Sequence, residues 1–371
     1  MTISPQGLAQ LPTPCLVIDL GAADRNIARM ASDLRSAGLA LRPHFKAHKC
    51  VSLLRRQLDA GTCSGVTCQT TWEALALAHH GIGDILLSNQ VTDPYALSEL
   101  GEAAAMVDVT VVVDDVAQVA ALAEVTARHK AALGVLVEID VGMGRCGLPP
   151  GSPALPALVA AIQDAPGLTF RGLQGYEGHA VLVDDPDRRR ELTAKAAAAL
   201  AGERDRLAAE GIGCDLVTGG GTGTYDLAAE NGVLQEVQAG SYVLMDAAYG
   251  RPGMARPFEN ALFCAARVIS RTSPERGVLN AGLKELSGEF GPPLSAASRV
   301  TVTRLSDEHS IVEFAESAPQ RMGDVVPLIP AHVDPTINLH DRLYAWDGHR
   351  MAAWPVEGRR TLPTRDRLSH R

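Results

Sequence analysis

The sequence predicts an α/β chain, a parallel (β/α)8 TIM-type barrel followed by a mostly β region. Three observations point there. Eight short apolar runs lie between Leu41 and Gly240, most of them followed by an amphipathic or alanine-rich segment. The runs are apolar nearly throughout, as strands buried on both faces of a parallel sheet are. After about Tyr249 this rhythm gives way to strand-like stretches joined by turns. Eight βα units suggest a closed barrel, with a doubly wound open sheet as the alternative.

CLVIDL, residues 15–20, is a short apolar strand outside the eight. DRNIARMASDLRSAG follows as a helix with Asp19 near its start and a stop at Gly38. The barrel strands then read 41–46, 65–70, 84–89, 109–114, 134–140, 168–176, 214–220 and 234–240. Helices between them include CVSLLRRQLDAG, TWEALALAHHG, DVAQVAALAEVTARH and a long one through 188–210. ALFCAARVISRTSPERGVLNAGLKELS, SRVTVTRLSDEHSIVEFA and DVVPLIPAHVDPTINLHDRLYAWD read as strands of a second region, with the boundary near Gly250–Pro257. The polar end EGRRTLPTRDRLSHR is expected to be loosely held.

The 371 residues, 46% hydrophobic and 21% charged, suffice for a full core and two domains. A net charge of −9 without a basic tract argues against nucleic acid or an anionic membrane as partner. No apolar run reaches the roughly 20 residues of a membrane span. The opening MTISPQGLAQLPTPC does not resemble a signal peptide. The seven cysteines are odd in number, dispersed and never spaced CxxC, which fits reduced thiols in the cytoplasm.

The chemistry centres on LRPHFKAHK, 41–49. Read as a strand, it puts Arg42, His44, Lys46 and His48 on one face and Lys49 on the other. Neighbouring positive charge and partial burial both favour a free amine on Lys46, as a Schiff-base lysine needs. TGGGTGTY, 218–225, follows the seventh strand, and its glycines let main-chain N–H groups surround an anion, with Thr222 and Thr224 as added donors. AGSY, with Gly240 and Ser241, ends the eighth strand. Loops after the last two strands are the usual phosphate site of such a barrel. Tyr249 could add a phenol there. Arg145, in DVGMGRCG, and Gln69 stand at strand ends on the same mouth. In PAHVDP, His332 and Asp334 point the same way if the segment is extended. They make half a divalent-metal site whose N/O donors favour Mn2+ or Mg2+ over Zn2+. Glu308 and His309 are candidate groups behind it.

RPHFKAHK, VTCQT, DVGMGRCG, GLQGY, TGGGTGTY, EVQAGSYVLMD and PAHVDP occur in this order. Together they resemble the D-threonine aldolase and D-serine dehydratase-like family of pyridoxal 5'-phosphate (PLP) enzymes, which share the alanine racemase fold. The resemblance spans about 11–341. It implies a PLP-binding barrel of residues 21–250 and a β-rich domain of 1–20 plus 251–371, joined by the N-terminal strand, in a homodimer. It implies that Lys46 is the Schiff-base lysine and that Gln69, Tyr176, Thr222, Gly240, Ser241 and Tyr249 contact the cofactor. It further implies that Arg145 faces the cofactor's phenolic oxygen and that His332 and Asp334 hold the metal. Dehydratase relatives usually carry His-x-Cys with zinc, so Asp334 favours the aldolase branch. Aldolases often carry a stretch like AYHGxAQH after the sixth strand. Here it is GYEGHAVLV, with Glu177 and Leu182 in place of two histidines and His179 as the remaining candidate base.

The expected activity is therefore metal-assisted retro-aldol cleavage of D-3-hydroxy amino acids to glycine and an aldehyde. The alternatives are a D-serine or D-3-hydroxyaspartate dehydratase on the same scaffold, and a non-catalytic PLP carrier. The second β region counts against the carrier.

Overall fold

The computed structural model describes residues 5–251, 253–254 and 256–360. The run 361–371, most of the end expected to be loose, lies outside the described residues, as do positions 252 and 255 of the expected boundary. Eight parallel strands form one sheet: Ala40–Leu41, Val66–Cys68, Ile85–Leu87, Val109–Val113, Leu133–Glu138, Leu168–Gly175, Leu216–Gly219 and Glu236–Val237. Neighbours follow chain order, and the eighth returns beside the first. Bridges Leu41–Cys63 and His44–Thr67 close the gap between first and second. The sheet is thus a barrel, and the open-sheet alternative falls. The apolar runs are strands because both their faces are covered: every residue of 109–113 and 133–138 is buried.

The strands are shorter than the apolar runs suggest, and the first differs most. Arg42 N–H still donates to Val237 O (2.9 Å) and His44 N–H to Ala239 O (3.2 Å). Then Phe45–Ala47 turns into a 3-10 helix. Pro43, with no N–H, fits only while the chain is leaving the ladder. Strand alternation therefore ends at His44, and a period near three takes over. Arg42 is buried inside the barrel, where it pairs with Glu236 (2.7 Å) and Asp84 (2.9 Å).

Cys15–Asp19 lies inside the second sheet. It runs antiparallel to Leu262–Ser270 and parallel to Arg342–Trp346. Asp19 ends that strand and caps helix Leu20–Ala37 by accepting from Ala22 N–H (3.2 Å), so the chain enters the barrel directly from the β sheet. The sheet has nine strands, including Val325–Ile329, which leads straight to His332. One apolar cluster spans both sheets, from Leu16 and Ile18 through Tyr242 and Leu244 to Val326 and Ile337. It fixes the β region over one side of the barrel mouth. Among the described residues no helix is long and apolar enough to cross a membrane.

Candidate active site at the barrel mouth

A cavity of about 210 Å³ opens where the C-terminal strand ends meet the β region. The barrel supplies Lys46, Gln69, Arg145, Tyr176, Thr222, Gly240 and Ser241, followed by Tyr249, and the β region supplies Phe290, His332 and Asp334. Ten of the eleven candidate site residues from the sequence thus line one space; His179 is the exception.

Lys46 leaves the 3-10 turn with its ammonium 3.7 Å from Asp334 Oδ2. Of its expected companions only His44 shares the cavity. Burial, then the charge of Lys46, pushes the His44 imidazole well below its usual pKa, and its Nδ1 has no hydrogen-bond partner. His48 turns away, with Nε2 2.9 Å from Gln57 Oε1. Burial brings its pKa down to about 4. The single basic face expected from strand alternation does not form, because the turn re-aims each side chain.

The two glycine loops meet beside Lys46. A Cβ on Gly240 would lie 2.9 Å from both Ala47 Cβ and His44 O, so only glycine lets this loop touch the lysine turn. Thr222 Oγ1 accepts from Tyr242 N–H (3.0 Å), tying one loop to the other. Among the described residues, the N–H groups of Thr222, Gly240 and Ser241 have no acceptor. Unpaired main-chain donors on one concave wall are what a phosphate requires. Burial holds the Tyr249 phenol protonated, so it can donate as well.

The cradle is braced from behind by Glu177, which is fully buried. Its carboxylate accepts from Thr224 Oγ1 (2.5 Å) and Gly220 N–H (3.3 Å). His179 is in helix Gly178–Val181 with its ring against Gly142 and is not among the cavity-lining residues. The structure does not bring this candidate base to the site.

On the opposite wall, the Arg145 guanidinium lies 5.4 Å from the centre of the Tyr176 ring and 3.8 Å from Glu138. Burial pushes the Tyr176 phenol up to about 12. Gln69 is oriented by donating from Nε2 to Ser88 O (3.1 Å).

His332 and Asp334 are not on an extended segment. His332 caps the short helix Val333–Asn338, whose first turn tolerates Pro335. Asp246 starts this helix by accepting from Val333 N–H (3.0 Å), and burial raises its carboxyl to about 6. The pair still converges: His332 Nε2 is 3.9 Å from Asp334 Oδ1, which is buried without a hydrogen bond. Two donors each about 2.1 Å from one metal lie at most roughly 4.2 Å apart, and this spacing is within that limit. His332 Nδ1 is held by Glu289 Oε2 (2.7 Å), leaving Nε2 free. Among the described residues no group of three or more His, Cys, Asp or Glu could hold a metal, so the chain offers two donors. Glu308 is not behind them: it pairs with Lys284 on the surface. Glu289, which does stand there, is 43 positions from His332 and carried no sequence signal.

A barrel whose mouth presents a lysine, an anion cradle and an N/O donor pair defines a cofactor-lysine enzyme scaffold of the alanine racemase type. Residues 18–248 match the family model described as alanine racemase, N-terminal domain, and residues 261–346 match the putative serine dehydratase domain. A D-threonine aldolase from Arthrobacter sp. is 40% identical over 95% of this chain and 94% of its own length. A 3-hydroxy-D-aspartate aldolase from Paracoccus denitrificans (strain Pd 1222) is 37% identical over 95% and 93%. The crystal structure of D-threonine aldolase from Filomicrobium marinum superposes with a TM-score of 0.91 at 39% identity, covering 95% of this chain and 96% of that one. Dehydratases match at 27% identity or less. The chain belongs to the D-threonine aldolase and D-serine dehydratase-like family of alanine racemase-fold enzymes.

Proposed function

We propose that this chain is a PLP- and divalent-metal-dependent carbon–carbon lyase, cleaving D-3-hydroxy amino acids of the D-threonine type to glycine and an aldehyde. The observation that carries this reading is the meeting of Lys46, the anion cradle and the His332–Asp334 pair in one cavity, with Lys46 Nζ 3.7 Å from Asp334. The residues fit both groups. Lys46 would hold PLP covalently, and the unpaired N–H groups of Thr222, Gly240 and Ser241, with the Tyr249 phenol, would take its phosphate. Arg145 would face its phenolic oxygen, and Gln69 and Tyr176, which line the same cavity, would contact the cofactor. When bound, PLP supplies the electron sink for the electrons left on Cα. His332 Nε2 and Asp334 would hold Mn2+ or Mg2+, which supplies positive charge that makes the β-hydroxyl more acidic.

The chain's own contributions follow from placement. Lys46 and Arg145 put two cations in a cavity that must receive a phosphorylated cofactor and a carboxylate. Glu289 keeps His332 in the tautomer that leaves Nε2 bare. Asp246 fixes where the donor pair points by holding the start of its helix. The fully buried Glu177 serves the loop rather than the substrate, and no proton transfer is assigned to His179.

We read residues 21–250 as the catalytic barrel and 1–20 with 251–371 as the β-rich domain. We read the protein as a cytoplasmic homodimer: all seven cysteines are free, and the dimer follows from the family resemblance. The test is D-threonine with purified protein, PLP and either Mn2+ or EDTA. Acetaldehyde and glycine, formed only with metal and lost in Lys46→Ala, are expected. Ammonia and a keto acid would mean a dehydratase instead.

A further inference from the structure

Lys49 stands three residues after Lys46 and has no part in the cavity lining. Its backbone is left-handed, with φ 53°, and its N–H donates to Phe45 O (2.7 Å). A non-glycine residue held in this region is strained and needs a reason. Here the conformation sends the two lysines apart. Lys46 enters the cavity, while the Lys49 side chain, only 11% exposed, runs under it. Its ammonium donates to Asn338 Oδ1 (2.9 Å) and pairs with Glu73 Oε1 (3.1 Å). Both partners lead back to the site. Asn338 ends the helix that begins beside His332, four residues after Asp334. Glu73 Oε2 accepts from Gln69 N–H (2.8 Å).

We propose that Lys49 is a positioning residue for the metal pair, clamping the Val333–Asn338 helix to the turn that carries Lys46 and to the Gln69 loop. The inference rests on the metal reading of His332 and Asp334 given above. A six-residue helix has too few internal bonds to hold its own orientation. It is fixed at the start by Asp246 and in the middle by Thr336, whose hydroxyl accepts from Ser287 N–H (3.1 Å). Lys49 fixes the end, where a cation also complements the helix dipole. Without it, Asp334 keeps its place in sequence but not its distance from Lys46.

The test separates positioning from plain stability. In Lys49→Met a buried carboxylate on Glu73 loses its partner, and this alone destabilises the fold. Lys49→Met combined with Glu73→Gln removes that charge but does not restore the link to Asn338. Asn338→Leu cuts the link and leaves the Lys49–Glu73 pair intact. With PLP-loaded protein, Mn2+ affinity is measured by titration, alongside the visible absorbance of the lysine-bound cofactor and the melting temperature. Both variants are expected to bind Mn2+ about 10- to 100-fold more weakly, with cofactor absorbance unchanged. Mn2+ affinity within twofold of wild type in Asn338→Leu would overturn the proposal, and this variant decides if the double variant does not fold. Loss of cofactor binding in parallel with metal would also overturn it. His332→Ala is the control: if it leaves Mn2+ affinity intact, the metal reading fails rather than the role of Lys49.

Discussion

Glu177 offers the sharpest single perturbation, because it stands where aldolases often carry a histidine and the structure gives it a different task. Its two oxygens accept from Thr224 Oγ1 and Gly220 N–H in the glycine loop. Glu177→Ala leaves the Gly220 N–H buried without an acceptor and the Thr224 hydroxyl with only the long contact to Gly221 O (3.5 Å), at about 1–3 kcal/mol each. Relief of the carboxylate's own burial offsets part of this, and a net loss of about 2–3 kcal/mol at the loop follows. Since the loop is half of the proposed phosphate cradle, PLP binding would have to restore its order. The PLP dissociation constant is then expected to rise about 30- to 150-fold. Glu177→Gln keeps an acceptor for Gly220, and its amide can donate to Thr224, so its loss should stay below about tenfold. The pH dependence gives an independent check. Burial raises the Glu177 carboxyl above the usual range, so the folded chain holds that proton more tightly than the unfolded one. That stabilisation is complete below the ordinary carboxylate pKa and is lost as pH rises through the raised value. Glu177→Gln, always neutral, should remove this part of the decline in melting temperature with pH. PLP affinity measured by absorbance after dialysis, with melting curves across pH, tests both statements. Unchanged PLP affinity in Glu177→Ala, or equal damage from Ala and Gln, would refute the reasoning.

Three further outcomes are expected. Gly240→Ala forces a Cβ to within 2.9 Å of Ala47 and His44, and overpacking of about 1–3 kcal/mol should weaken PLP binding roughly tenfold or more, read by the same dialysis. Glu289→Ala frees the His332 ring and should lower Mn2+ affinity about 10- to 100-fold without touching cofactor absorbance. Phe290 lines the cavity with its ring centre 4.8 Å from that of His332, so under the proposed reading it would stand beside the substrate's Cβ substituent. Phe290→Ala should therefore shift kcat/KM from D-threonine toward D-3-phenylserine by about tenfold or more.

The fold was legible because burial on both faces writes itself into a strand such as 109–113, where every residue is apolar or threonine. Most of the barrel strands were found in this way, together with the loops that punctuate the mouth; the first was read from alternation instead. Local geometry was less legible. LRPHFKAHK alternates like a strand, but Pro43 and the loop at Gly240 let it become a 3-10 turn, and His48 left the site. PAHVDP read as extended, yet Asp246 starts a helix there from 87 residues away. Glu289, Glu177 and Lys49 act through partners 43, 47 and 289 positions distant, and no spacing rule reaches that far. The groups that line the cavity were readable from the sequence, whereas the groups that hold them in place were not.

The central claim is that the Cα–Cβ bond breaks, and its most direct measurement uses D-threonine carrying deuterium at Cα. The account predicts that the label stays on Cα in the glycine formed, with acetaldehyde as partner product and no primary isotope effect on kcat/KM. Loss of the label to water, with a primary isotope effect and release of ammonia, would contradict it.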